Sequence, residues 1–522
     1  MSTAVAAPTT RPAARSGRLT ANLCANIAQL GLTMVVGVWY VPYLVRQLGP
    51  AAYGLIPLTS VITSYMTLIT VGLESAVGRF QTLSLARDEH EDANLIFNVA
   101  LWGNVALCGL LLIPAFFVVA EAERLIRIPP GYETATRWLF AATIAAFLLN
   151  QIKTPFTVSF FCRNRLDLQN IVTAGETLTR VGLVVLLFAA WAPRVEYVGA
   201  AILVGTSIAF IGTIWAWRIL TPTLYISWRL FDWAVLRKLC HTGVWVVVSQ
   251  IGVMLYLNID LLVANRLFGP EQSGKYAAVL QLPFLLRSLS LAVGGVFAPT
   301  MFQIYARDDM SGLVAYLRRS VKFLGLVMAL PIGLTCGFAE PLLRLWLGPG
   351  FGGFALLLVV MAAHLCINLA MYPLYPLPLA VNRVKTPGLV TLVVGVGNLG
   401  LALFLAGPVG WGLYGIAAAG AITLTVRHLL FTPLYSAHIL NQPWTTFYKG
   451  VPVFVLATLV ITGLCRATLW LCPISNWPEL ILAGVVMSLV FLIIAYLLLT
   501  PGERVELKES IKNRGKAAPA AA

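Results

Sequence analysis

Along this chain, nearly unbroken apolar stretches of membrane-crossing length alternate with short polar breaks. A helix needs roughly 20 apolar residues to cross a bilayer, and lipid offers unpaired backbone no partner, so the pattern predicts a bundle of membrane-spanning helices. Fourteen such runs are read, near 22–45, 53–72, 94–120, 136–162, 170–193, 196–218, 243–265, 274–300, 320–339, 353–380, 388–406, 412–435, 447–469 and 477–499. The longest outward break, Glu121 to Glu133 with its Pro129-Pro130-Gly131 turn, is too short for a folded domain.

One break is written twice. Arg46-Gln47-Leu48-Gly49-Pro50 through Tyr53-Gly54 returns as Arg266-Leu267-Phe268-Gly269-Pro270 through Gly274-Lys275-Tyr276. Pro removes a backbone donor and Gly tolerates the exit geometry, so each copy ends one helix and opens the next. The echo continues: Val71-Gly72, Ala76 and Phe80-Gln81 recur as Val293-Gly294, Ala298 and Phe302-Gln303. Asn164-Arg165 matches Asn382-Arg383, and Gly182-Leu183 matches Gly400-Leu401. A period of roughly 220 residues points to duplicated membrane lobes rather than a solenoid of short repeats.

The expected fold class is therefore an all-α polytopic membrane protein of 14 transmembrane helices, arranged as two pseudo-symmetric six-helix lobes plus two C-terminal helices. The expected organisation is a disordered cytoplasmic tail at 1–20, an N-lobe at 21–221, a linker at 222–242, a C-lobe at 243–440, the last two helices at 441–502 and a second tail at 503–522. In the linker Leu224, Trp228, Phe231, Val235 and Leu239 mix with Arg229, Asp232, Arg237 and Lys238, which reads as an amphipathic helix lying on the cytoplasmic leaflet.

Composition supports this picture: 522 residues are 59% hydrophobic and 11% charged, with a mean hydropathy of +0.84. The net charge of +15 does not indicate nucleic acid, because Lys and Arg concentrate in alternate loops. That asymmetry places both termini in the cytoplasm. No cleavable signal peptide is visible in the Ala/Pro/Thr/Arg-rich start. The eight cysteines lack metal-binding spacing, and whether Cys465 pairs with Cys472 is left open by the sequence.

Ionisable groups at membrane depth cost about 2.5–3.5 kcal/mol each on insertion scales, which makes the few present candidates for function. Lys153 sits beside Pro155 in the fourth run, Glu176 and Arg180 lie one turn apart on the fifth, Asp260 is in the seventh and Arg287 in the eighth. Glu176 and Arg180 can pair on one helix face. Neither Lys153 nor Arg287 has an acidic residue within a turn of its own sequence, which suggests an anionic guest. Asn150, Gln281, Tyr372 and Asn398 supplement them, since amides and tyrosines suit sugar hydroxyls while Lys and Arg suit phosphate. Arg180 and Asn398 occupy equivalent positions of the repeat, two residues before the matched Gly-Leu. Asp88-Glu89 and Asp308-Asp309 read as solvated loop charges.

The two Gly-Pro turns, the Asn258-Ile259-Asp260 segment, Leu345-Trp346-Leu347-Gly348-Pro349 and Asn398-Leu399-Gly400 through Gly412-Leu413-Tyr414-Gly415 together resemble the polysaccharide transporter branch of the multidrug/oligosaccharidyl-lipid/polysaccharide exporter superfamily. The resemblance covers nearly the whole chain. It implies two lobes around a central cavity, alternating access, and a Wzx-type flippase moving polyprenyl-diphosphate-linked oligosaccharides for O-antigen, capsule or exopolysaccharide. The lipid II flippases of that superfamily carry an arginine-rich first helix, whereas this chain has no basic residue between Arg18 and Arg46.

Under this reading Lys153, Arg180 and Arg287 hold phosphate or acidic sugar, and Asp260 or Glu176 takes up a proton or sodium ion. No bound cofactor and no catalytic residue are expected. The partners are the lipid-linked glycan, membrane lipids and, as neighbours, a glycan polymerase and chain-length regulator, all at a bacterial inner membrane. Two other classes compete: a drug or cation antiporter, which would want acids and aromatics to dominate, and a membrane glycan polymerase or ligase, which short outward loops disfavour.

Overall fold

The computed structural model describes residues 12–86, 89–242, 244–498 and 504, with side chains described at all of these except 12–20, 23, 73–76, 78–80, 82–83, 86, 238–242 and 244–246. Among the described residues all regular structure is helical. Twelve stretches are long and apolar enough to cross a membrane. Two of them, Cys24–Gly72 and Val247–Ala306, run 49 and 60 residues. At about 1.5 Å per residue each far exceeds a hydrocarbon core of about 30 Å. The expected fourteen counts each as two crossings.

Both long stretches break at the duplicated turn. Gly49 adopts φ 79°, ψ 159° and Gly269 φ 84°, ψ 177°, a region open to glycine alone, immediately before a proline that cannot donate. The matched Asn164 and Asn382 likewise share a left-handed φ, of 50° and 55°. The two turns also pack on each other: a Cβ on Gly54 would stand 2.8 Å from Gly274 Cα, and one on Gly274 would collide with the Pro50 carbonyl. Glycine at both positions is what permits this approach.

The first helix, Pro12–Ala86, begins inside the stretch expected as a tail. Its opening Pro-Ala-Ala supplies a proline fitted to a helix start and strong helix formers behind it. Residues 1–11, 503 and 505–522 of the expected tails lie outside the described residues.

The chain divides into two compact units, Met1–Ala278 with Lys385–Ile416, and Val279–Val384 with Ala417–Ala522. These do not follow the lobe boundaries expected at 21–221 and 243–440. In the first unit Val244–Leu257 packs on Pro12–Ala86 and also on Lys385–Ala406. A Cβ on Gly252 would run into the Thr391 backbone, and one on Gly395 would meet the Gly252 carbonyl at 2.5 Å, so this helix pair is joined backbone to backbone. The unit's aromatic core is Phe97, Phe156 and Trp217, with Phe97 stacked on Trp217 at 5.4 Å and Phe156 edge-on to both.

In the second unit Met310–Gly337 packs on Val451–Leu471. Gly325, Gly333 and Gly337 line one face and receive Phe454, Ile461 and Cys465. The sulfur of buried Cys465 is therefore occupied in packing, Cys472 is exposed, and both thiols are free. At the start of Met310–Gly337, Asp309 accepts from the Gly312 amide at 2.8 Å and the Ser311 hydroxyl at 3.0 Å. These two donors hold its carboxyl below the usual Asp range. The residue read as a loop charge is a helix cap.

The linker also differs from expectation. Its α-helix is confined to Trp233–Thr242, preceded by a 3-10 turn at Trp228–Leu230, while a turn at 222–223 leads into 224–227, which has no regular structure and is tied to His90–Ala120. Asn94 donates to Thr223 O and accepts from Tyr225 N–H, both at 2.9 Å; Asn98 donates to Tyr225 O at 2.9 Å and accepts from Ser227 N–H at 2.7 Å. Four helical residues rise about 6 Å and two extended residues about 6.6 Å, so asparagines at i and i+4 can pair successive alternate residues as a neighbouring strand would.

Candidate functional site

Three helices of the first unit bring a charged cluster together. Lys153, on Glu133–Cys162, places Nζ 3.7 Å from Oε2 of Glu176 on Leu166–Ala190. Thr206, on Val195–Leu220, donates its hydroxyl to Glu176 Oε1 at 3.1 Å. Lys153 is thus compensated by a neighbouring helix, and the expected Glu176–Arg180 pair does not form. Gly205 lets the helices close: a Cβ there would lie 2.9 Å from the Glu176 carbonyl and 3.5 Å from Arg180 Cβ. Arg180 follows one turn after Glu176 and has a buried Nε without a hydrogen-bond partner among the described residues. Its charge reaches Tyr40, whose hydroxyl is buried and unpartnered in the same sense. Asn150, expected beside Lys153, is half-buried, and its carbonyl accepts from the Thr154 hydroxyl at 3.1 Å.

A second cluster in the same unit centres on Asp260, at the start of Ile259–Gly294. Asn398, fully buried, donates to Asp260 Oδ1 at 3.2 Å and to the Leu255 carbonyl at 3.3 Å. Tyr276 donates its hydroxyl to Asp260 Oδ2 at 3.4 Å, and the carboxylate's charge also reaches Tyr65. Asn398 therefore serves the acid rather than joining the cations. The matched positions Arg180 and Asn398 share a place in the repeat and differ in their surroundings.

The second unit holds a cationic and aromatic cluster. The Arg287 charge reaches His364 and His428. Tyr375 stacks on His428 with centroids 5.6 Å apart, Tyr372 lies 5.2 Å from Tyr375, and the Arg427 guanidinium stands 5.9 Å from the Tyr375 ring. Tyr372 is seated against Gly294, where a Cβ would overlap its ring. His364 Nδ1 is 3.1 Å from the Val360 carbonyl, while its Nε2 and both amide atoms of Asn368 are buried with no hydrogen-bond partner among the described residues. Gln281, on the helix of Arg287, is half-buried, and its side chain makes no hydrogen bond among the described residues.

The sequence reading missed Arg427, His428 and Tyr375. Arg427 and His428 were legible as ionisable residues inside the 412–435 run. What presents them is a π-helical turn, Val426–Phe431, which leaves no periodic signature. Among the described residues no group of three or more His, Cys, Asp or Glu is placed to hold a metal ion.

The chain matches the family described as "Polysaccharide biosynthesis protein" over residues 19–305. It is 36% identical to the uncharacterized membrane protein EpsK of Bacillus subtilis (strain 168) over 504 residues, covering 95% of this chain and 99% of that one. Its fold is similar to that of lipid II flippase MurJ in an inward closed conformation, with a TM-score of 0.67 and 16% identity over 92% of this chain and 98% of the other. It is also similar to an inward-facing multidrug resistance MATE family transporter of the MOP superfamily, with a TM-score of 0.64 and 13% identity over 80% and 98%. The family match over more than half of the chain and the EpsK likeness make this chain a member of the polysaccharide biosynthesis protein family.

Proposed function

We propose that the protein is a flippase for polyprenyl-diphosphate-linked oligosaccharide units, carrying them from the cytoplasmic to the outer leaflet of a bacterial inner membrane by alternating access. The observation that carries this reading is the charge balance inside the spans. Over 279–384 and 417–498 the only acids are Asp308, Asp309, Glu340 and Glu479, all exposed, whereas the half-buried guanidinium groups of Arg287 and Arg427 cluster with the His364 and His428 rings, Tyr372 and Tyr375. Guanidinium groups suit phosphate or carboxylate, and tyrosine faces suit sugar rings. Within the first unit Arg180 and Lys153 are the cations of a separate cluster, Lys153 being paired with Glu176. Fourteen crossings, cytoplasmic termini, and a polymerase and chain-length regulator as neighbours belong to the same proposal.

Asp260 is the better candidate for ion coupling, because Glu176 already balances Lys153. The test is the Lys153→Gln, Arg287→Gln double variant, followed by surface glycan and by accumulation of the lipid-linked precursor inside. Loss of export is expected from a protein that still folds, its melting temperature lowered only by the loss of the Lys153–Glu176 pair; normal export would remove the site. One observation favours a drug or cation antiporter as the second reading: Asp260 is ringed by Tyr65, Tyr276 and Asn398. Resistance to toxic cations that depends on Asp260, with surface glycan unaffected, would favour it.

A further inference from the structure

At one end of the first unit, helices Glu133–Cys162 and Val195–Leu220 enclose a groove of about 550 Å³. They meet at Gly199, where a Cβ would stand 3.2 Å from both Leu139 Cα and Ala142 Cβ. Beside that contact the floor is alanine, at 142, 145 and 200, so the backbones approach while the space above stays open. The volume lies within the range of about 300–1,000 Å³ typical of small-ligand sites. Trp138, 66% exposed, and Tyr197 flank the groove, the residue types that settle at headgroup level.

Its mouth carries two opposite charges that do not neutralise each other. Arg194 has extended backbone at φ −137°, ψ 146°, and Glu196 lies in the first turn of the helix that follows. Both line the groove, yet neither makes an ion pair or hydrogen bond among the described residues. We infer that this groove is a binding site for a zwitterionic phospholipid, with the phosphate on Arg194, the ammonium on Glu196 and an acyl chain along the alanine floor. An anionic headgroup satisfies Arg194 but is repelled by Glu196. A soluble phosphate leaves the apolar floor uncovered. Trp138 stands about 22 Å along its helix from Lys153, so the lipid occupies a place apart from the charged cluster.

The test uses the full-length protein, stripped of lipid in detergent and offered phosphatidylethanolamine or phosphatidylglycerol, with bound lipid counted by native mass spectrometry. The wild type should retain phosphatidylethanolamine about fivefold over phosphatidylglycerol, the scale of one or two exposed charge contacts. Glu196→Gln should bring the ratio near unity, Arg194→Gln should weaken retention of both, and Ala145→Phe should empty the groove. The two surface charge variants keep the test valid if the Phe variant folds poorly. Equal retention of the two lipids by the wild type, no retention at all, or charge variants that bind as the wild type does would overturn the site.

Discussion

Lys153 Nζ lies 3.7 Å from Glu176 Oε2 across two helices, although Glu176 has Arg180 one turn away on its own helix. An intrahelical pair of that kind contributes only about 0.3–0.5 kcal/mol. The Lys153 and Glu176 side chains, 14% and 27% exposed, are withdrawn from solvent, so a charge left alone costs far more. Glu176→Gln should lower unfolding stability by about 1–3 kcal/mol, and Lys153→Met in that background should recover part of it. A double-mutant cycle in detergent measures this. Additive losses would mean the pair is not coupled.

Asn398 and Tyr276 orient the Asp260 carboxylate. Replacing the buried Asn398 by Leu removes a donor from a half-buried acid and should cost about 1–3 kcal/mol. Tyr276→Phe should cost less, since its bond is longer. Asp260→Asn should keep the fold and stop transport. Transport at the wild-type rate in Asp260→Asn would exclude a coupling role.

The packed turns rank three glycines. Gly274→Ala drives a methyl group into the Pro50 carbonyl and should destabilise most, by about 1–3 kcal/mol or more. Gly54→Ala meets Gly274 Cα and should follow. Gly484→Ala, with nothing within 4 Å, should be neutral or stabilise by up to about 1 kcal/mol. Thermal unfolding gives the order directly.

Asn98 makes paired bonds to Tyr225 and Ser227. Asn98→Ala should cost about 1–2 kcal/mol and release the strap. Hydrogen exchange at the Ser227 amide reads the release. Protection unchanged from the wild type would show that the strap is held by other contacts, such as the buried Leu224 side chain.

The Asp309 carboxyl is held below its usual range by the Gly312 amide and Ser311 hydroxyl. A lowered folded-state value means that the cap's contribution is full above the ordinary Asp value of 3.8 and fades as pH falls below it. Asp309→Asn should remove that acid-side slope from the stability curve while leaving the neutral region nearly level.

The helical membrane class, the duplicated Gly-Pro turns and the scarcity of buried charge are all legible in the chain, because each depends on residues adjacent in sequence or on a strict helical period. Hydrophobic run length governs crossing, and proline with glycine governs where a run must end. The partners of the charges are another matter. Whether Glu176 turns to Arg180 or to Lys153, and whether Asn398 joins the cations or Asp260, depends on how helices are rotated and spaced against one another. Glycine contacts such as those at Gly205, Gly252 and Gly395 set those rotations, and no local pattern encodes which glycine meets which backbone. The sequence by itself therefore determined that a few polar groups lie in the membrane, and only tertiary packing decided which of them meet.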